Sequence, residues 1–243
     1  MYRGSLLWVF FESSSNMLAL HRTFYFGKTF WKFFPIFSQN LTPSSSCFNS
    51  PGGSFTSIAA VAAELSPDKR KIGNDIYIVY SISKDFALSG LRVGCAYSEN
   101  QEVLNPVRKL NDLCQVSSQT QLLVSGILDD KIWLAKFREE NLSRTRERCD
   151  ILQGILRESG VPFLKPEGGL YVWCDLSQFL DGKSEEELFD DLVDRHGLLF
   201  TPGKSMMMGR EGFFRIVFTA VDEKGFEEGM MRFKRFLESR KPN

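Results

Sequence analysis

Histidine is nearly absent from this sequence: His21 and His196 are the only two in 243 residues. A metal site built on imidazoles, or a Ser-His-Asp triad, therefore has almost no material to draw on. Net charge is missing too, since 30 basic residues balance 30 acidic ones. With it goes the electrostatic footprint of a nucleic-acid or membrane-surface binder, so neither partner is expected. No apolar run approaches the roughly 18 residues that span a bilayer; stretches such as 6–11 are soon broken by charge or serine. The cysteines Cys47, Cys95, Cys114, Cys149 and Cys174 are odd in number and form no Cys-x-x-Cys pair. That pattern fits reduced thiols in a reducing compartment better than disulfides or zinc ligands.

Acidic residues are scarce in one region only. Within residues 1–53 Glu12 is the single acid, serines cluster, and nine of the 22 phenylalanines are found. Composition shifts near Gly52 and Gly53. An acid-poor, Ser-rich start with Arg3, Arg22, Lys28 and Lys32 has the ingredients of an organellar transit peptide, although such peptides carry more arginine and fewer bulky aromatics. The preferred reading is an atypical segment, poorly ordered or loosely packed, standing in place of whatever normally precedes the domain. Cytoplasm is the expected location, with an organelle the alternative if the first residues are cleaved.

What is present from Ser54 onward is the alternation of strands and helices expected of an α/β fold. Residues 76–80 are apolar without alternation, which predicts a strand buried on both faces of a parallel sheet, with 92–97 as its neighbour. Helices are expected at 102–113, 119–128 and 132–158. In the last of these, Leu142, Thr145, Cys149, Leu152 and Leu156 recur at spacings of three and four and define a buried stripe. The final third is more sheet-like, with strands at 169–176 and 213–219 around a short helix at 185–196. Ser184 and Glu187 form a capping-box pattern at its start. His196 falls in its last turn before Gly197, where a cation suits the dipole. A closing helix follows Asp222, with Phe226, Met230, Phe233 and Leu237 on its core face.

The stretch with most chemistry is Ser81-Ile82-Ser83-Lys84-Asp85-Phe86-Ala87-Leu88-Ser89-Gly90-Leu91-Arg92-Val93-Gly94, between two predicted strands. A lysine at the end of a buried strand can be partly desolvated and pushed toward the neutral amine that condenses with an aldehyde. Neighbouring hydroxyls and a guanidinium could together hold a phosphate. The motif's first four residues alone read equally well as an exposed loop with a solvated lysine. Gly203-Lys204-Ser205 has the ending of a phosphate-binding P-loop, but Leu198 stands where that loop needs a glycine, which excludes an ATP site there.

The full fourteen-residue pattern resembles the lysine signature of class I and II aminotransferases, which use pyridoxal 5′-phosphate. Its Lys-Asp pair and Gly-x-Arg-Val-Gly ending look most like the 1-aminocyclopropane-1-carboxylate (ACC) synthase branch. Val116-Ser117-Ser118-Gln119-Thr120-Gln121, Gly169-Leu170-Tyr171-Val172-Trp173, Pro202-Gly203 and Gly212-Phe213-Phe214-Arg215-Ile216-Val217-Phe218 continue the resemblance in the family's order, over about 55–237. The resemblance implies the aminotransferase-like fold of pyridoxal-phosphate-dependent transferases. Residues 1–53 would be an atypical segment, 54–130 a remnant of the large cofactor domain, and 131–243 a small C-terminal α+β domain including a long connecting helix.

By the same resemblance Lys84 carries the cofactor and, once displaced by substrate, acts as base at the α-carbon. Ser81, Ser83 and Arg92 bind the cofactor phosphate, and Arg215 grips the α-carboxylate of an amino-acid substrate. Arg215 has an alternative as a strand residue paired with an acid, and Ser83 as a turn-forming hydroxyl. The reaction is either a lyase step on S-adenosylmethionine or transamination of another amino acid, and the complete enzyme is a homodimer. A third reading is a truncated, inactive relative that serves as a structural or dimer-contact module. The family's ring-stacking aromatic, its asparagine and tyrosine, and its aspartate for the pyridine nitrogen all precede the lysine, and none is recognisable here. Asp75, nine residues before Lys84, is too close to be that aspartate. An incomplete sheet with an exposed edge and unpaired apolar surface is the expected result, and with it poor solubility or obligate association.

Overall fold

A computed structural model of the chain describes residues 57–66, 72–110 and 113–240, together with the backbone of three short strands within 5–20. The remaining expectations for residues 1–53 lie outside the described residues. The chain divides into two compact units that part between Phe137 and Arg138.

In the first unit, β1 (Ser5–Leu7) precedes an antiparallel pair, β2 (Val9–Phe11) and β3 (Leu18–Leu20). Helix α1 (Ile58–Leu65) starts at Ser57, whose hydroxyl accepts from the Ala60 amide at 3.2 Å. Strand β4 (Ile78–Ser81) leads into the single helical turn α2 (Ile82–Asp85) and returns as β5 (Gly94–Ser98). Helices α3 (Gln101–Leu110), α4 (Ser118–Asp129) and α5 (Lys131–Glu158) follow.

The expectation of a parallel, doubly buried strand is not met. β4 runs antiparallel to β5, with Ser81 opposite Gly94, and Val79 is 54% exposed. The reason lies in the connection. Its only regular structure is a four-residue helical turn and a three-residue 3₁₀ turn, too little for the crossover helix that parallel neighbours require. In the three-stranded sheet, β5 is central, with β1 and β4 on either side. Ile82, Phe86 and Val93 pack with Val124 and Leu128 of α4. Phe137 stacks on Phe86 at 5.6 Å and on Trp133 at 4.9 Å.

The second unit holds most of α5, where Thr145, Cys149, Leu152 and Leu156 are buried as their spacing predicts. Its sheet contains β6 (Phe163–Leu164), β7 (Tyr171–Asp175), β8 (Thr201–Pro202) and β9 (Phe213–Val217) in the order β6-β7-β9-β8, all antiparallel. Alternation is strict. Val172, Cys174, Phe214 and Ile216 are at most 1% exposed, while Tyr171, Trp173, Phe213 and Arg215 line the other, half-buried face. Helices α6 (Glu185–Asp194) and α7 (Glu223–Ser239) complete the unit. On α7, Phe226, Phe233 and Leu237 are buried as expected, and Phe236 joins them by packing against Phe179 and His196.

His196 does not sit in the last turn of α6. The helix ends at Asp194, and Gly197 at φ +62° turns the chain so that the amides of Gly197 and Leu198 donate to the carbonyls of Val193 and Leu192 at 3.0 and 2.8 Å. His196 Nε2 faces Asp191 Oδ2 at 3.7 Å instead. Cys95, Cys149 and Cys174 are buried free thiols, and Cys114 is exposed. Burial pushes the Cys174 thiol up to about 12, with Asp175 adding to the shift. It also raises those of Cys149 and Cys95.

The capping box of α6 is complete: the Glu187 amide donates to Ser184 Oγ at 3.2 Å, and the Ser184 amide donates to Glu187 Oε2 at 2.8 Å. That backbone bond, then the Ser184 hydroxyl, holds the Glu187 carboxyl below its ordinary value of 4.5. A carboxyl lowered on folding stabilises above its unfolded pKa, and the contribution is lost as pH falls through the lower folded value. Ser184→Ala should cost about 1 kcal/mol in urea unfolding at pH 7. The difference from wild type should shrink below about pH 4; an unchanged gap at about pH 3 would contradict the assignment.

Candidate functional site

In the first unit, the sequence Ser-Ile-Ser-Lys places its members by simple geometry. Ser81 ends β4 and caps α2, its Oγ accepting from the Ser83 amide at 3.1 Å. Ile82 and Phe86, four apart, turn inward and are 2% and 7% exposed, which leaves Lys84 facing outward. Lys84 is thus exposed, against the expectation of a partly desolvated amine, and among the described residues none bonds its ammonium.

Ser81 and Ser83 are brought together, with Oγ to Oγ 2.6 Å apart. Ser81 Oγ donates to the Val93 carbonyl at 3.1 Å, so the short contact takes the Ser83 proton, and a lone pair of Ser83 Oγ stays open. Ser81, rather than Ser83, is the turn former. Arg92 lies just before β5 in the left-handed region, at φ +53° and ψ +46°, and its Nη1 donates to the Ser89 carbonyl at 2.9 Å. Because Ser81 is opposite Gly94, the serine pair and Arg92 share one end of this two-stranded hairpin.

Arg215 belongs to the second unit. It stands on β9 opposite Trp173 on one side and Thr201 on the other. No carboxylate pairs with it among the described residues. Nη2 donates to Thr201 Oγ1 at 3.3 Å, the guanidinium lies over the Tyr171 ring at 4.6 Å, and Nε is buried without a hydrogen-bond partner. A buried donor left unpaired costs about 1–3 kcal/mol unless something fills it. The outer face also carries Trp173 stacked on Phe213 at 6.0 Å, with Arg210 over Phe213 at 4.9 Å.

Three residues of this region are given no role by the sequence. Tyr171 and Thr201 reach Arg215 only through strand register, which local patterns do not encode. Glu185, at 1% exposure, accepts from the amides of Lys204, Gly212 and Phe213 at 2.8, 2.8 and 3.2 Å. As one of three consecutive glutamates opening a helix, it carries no mark that separates it from its exposed neighbour Glu186. These bonds occupy the Lys204 amide of the P-loop-like tripeptide.

The arrangement is that of the aminotransferase fold. An aromatic aminotransferase from Pyrococcus horikoshii matches with a TM-score of 0.65 over 81% of this chain and 50% of its own, at 23% identity. LysN, an α-aminoadipate aminotransferase from Thermus thermophilus complexed with N-(5′-phosphopyridoxyl)-L-leucine, matches with a TM-score of 0.64 over 80% and 48%, also at 23% identity. At that identity the likeness speaks for the fold alone. The family model for aminotransferase class I and II matches residues 46–233, and the chain belongs to that family. Within it the chain is similar to ACC synthases: 36% identical over 203 residues to synthase 3 of Solanum lycopersicum, and 36% over 201 residues to synthase 11 of Arabidopsis thaliana. These alignments cover 82% and 81% of this chain but 43% and 42% of the relatives, so the chain spans about two-fifths of their length.

Proposed function

We propose that this chain carries the lysine and carboxylate-binding part of a pyridoxal-phosphate-dependent enzyme that acts on an α-amino acid, of the ACC synthase or aminotransferase type. The observation that carries the reading is the buried, unpaired Nε of Arg215, an unsatisfied donor on a guanidinium already fixed by its neighbours. Such a group suits a substrate carboxylate, which takes paired N–H bonds from a planar fork.

The residues present fit the aldehyde and phosphate ends of the cofactor. Lys84 offers an accessible amine and Arg92 further guanidinium N–H groups, while the Ser81 and Ser83 hydroxyls at the same hairpin end would turn their protons from Val93 and from each other toward a phosphate. The ring nitrogen is less well served: the acids before Lys84 among the described residues are Glu64 and Asp75, both exposed, and neither is assigned to it. When bound, the cofactor supplies an electron sink for charge released at the substrate's α-carbon. The chain's part is to anchor the phosphate, to hold the carboxylate at Arg215, and to take the α-proton on the Lys84 amine. S-adenosylmethionine is the substrate if the chain follows the synthases, and another amino acid if it transaminates. A homodimer is the expected state of the complete enzyme.

A second reading, a catalytically silent structural or dimer-contact module, is favoured by the exposure of Lys84. Pyridoxal phosphate added to the purified chain, followed by borohydride reduction and peptide mapping, separates the two. Stoichiometric labelling at Lys84, lost in Lys84→Ala, is expected. No labelling, or labelling scattered over surface lysines, would sink the enzymatic reading. With labelling in hand, release of methylthioadenosine marks the synthase and formation of an oxo acid marks the transaminase.

A further inference from the structure

Arg215 is a long, flexible side chain, and a guanidinium free to wander would present its donors to a carboxylate in many orientations. Here two contacts remove that freedom. Tyr171 lies two residues before Trp173, the cross-strand partner of Arg215, and so on the same face of the sheet in the diagonal position. Its ring forms a floor 4.6 Å beneath the guanidinium carbon. Thr201, the partner on the opposite strand, accepts from Nη2 at 3.3 Å and fixes rotation in the plane of the floor. A plane defined by one contact and a rotation defined by the other leave Nε as the unsatisfied donor.

We infer that Tyr171 and Thr201 are positioning residues, which fix the plane and rotation of the Arg215 guanidinium for a carboxylate, with the buried Nε left as the donor that no residue of the chain satisfies. The inference rests on the reading of Arg215 as the carboxylate-binding group. Neither residue need touch the ligand. Trp173, the third neighbour, stacks on Phe213 and is engaged there. The chemistry separates the two roles: the floor needs an aromatic face and no hydroxyl, and the rotational stop needs a hydroxyl and no methyl.

The test is a titration of the full chain, labelled with ¹⁵N-arginine, with sodium acetate against a sodium chloride control. The Arg215 Nε–H resonance is assigned by its disappearance in Arg215→Lys. In the wild type this resonance should move with acetate and saturate. Thr201→Val should raise the half-saturating concentration about tenfold, and Tyr171→Leu about three- to tenfold. Thr201→Ser and Tyr171→Phe should stay within about twofold of wild type, a rescue that a merely structural role would not give. If acetate moves the resonance equally in all variants, the positioning inference is wrong and the reading of Arg215 survives. If acetate does not move it in the wild type, both fall. Should one of the disruptive variants fail to fold by circular dichroism, the other, with its conservative counterpart, carries the test.

Discussion

Glu185→Ala is expected to remove on the order of 4 kcal/mol from the stability of the second unit, which would leave a domain at the lower end of the ordinary range of about 5–15 kcal/mol with only about 1 kcal/mol in hand. The carboxylate is 1% exposed and is the acceptor for three main-chain amides: Lys204, after β8, and Gly212 and Phe213, at the start of β9. Alanine leaves those donors without a partner in a place that water reaches poorly. Gly212 at φ +92° makes the position less forgiving, because a Cβ there would meet the Ser177 backbone at 2.5 Å and the segment has nowhere to shift. Glu185→Gln is the informative control. It keeps one oxygen for one side of the clamp and turns an NH₂ toward the amides on the other, so an intermediate loss is expected. Urea unfolding followed by circular dichroism measures both. A loss below about 1 kcal/mol for alanine would show that the three bonds are readily replaced by solvent.

Phe214→Ala should cost about 3–5 kcal/mol, the range for deleting a fully buried aromatic ring. Phe214 is 0% exposed and lies opposite Cys174 on β7 and Pro202 on β8, on the core face of the sheet, one residue before Arg215 on the opposite face. Because side chains alternate along a strand, the residue that pins the ring into the core also fixes the face on which Arg215 appears. Phe214→Leu, which retains much of the volume, should lose clearly less. Comparing the two midpoints in urea, with unchanged slopes, isolates the cavity effect. Equal losses would point instead to the shape of the ring as the quantity that matters.

Much of the second unit was legible because its signals are local. The three-and-four spacing on α5, the Ser184 and Glu187 pair, and the Asp222 start of α7 each depend on residues within a few positions of one another. The structure finds all three. The direction of β4 was not legible. A short apolar run fits a buried parallel strand and an antiparallel strand equally well, and only the meagre helix in 82–93 distinguishes them. The end of α6 was misjudged by two residues because Gly197 acts on carbonyls one turn back, so the helix stops before His196.

At the candidate site, the types of residue could be read but their surroundings could not. Lys84 and Arg215 were singled out by motif, yet whether the first is exposed and the second is paired with an acid depends on side chains far away in sequence. Ile82 and Phe86 claim the inward positions beside Lys84, and Tyr171 and Thr201 occupy the flanks of Arg215 through register across three strands. The buried role of Glu185 depends on amides 19 to 28 positions later in the chain.

The protonated, buried sulfurs have a further meaning for chemical durability. Oxidation by peroxide begins at a thiolate that the oxidant can reach. Cys174, held up to about 12, and Cys149, raised and fully enclosed, offer neither condition at neutral pH. The packing beneath β7 and α5 can therefore pass through an oxidising episode without acquiring sulfinic or sulfonic acids in its core. Among the described cysteines, the damage would be confined to Cys114, on the surface of the other unit.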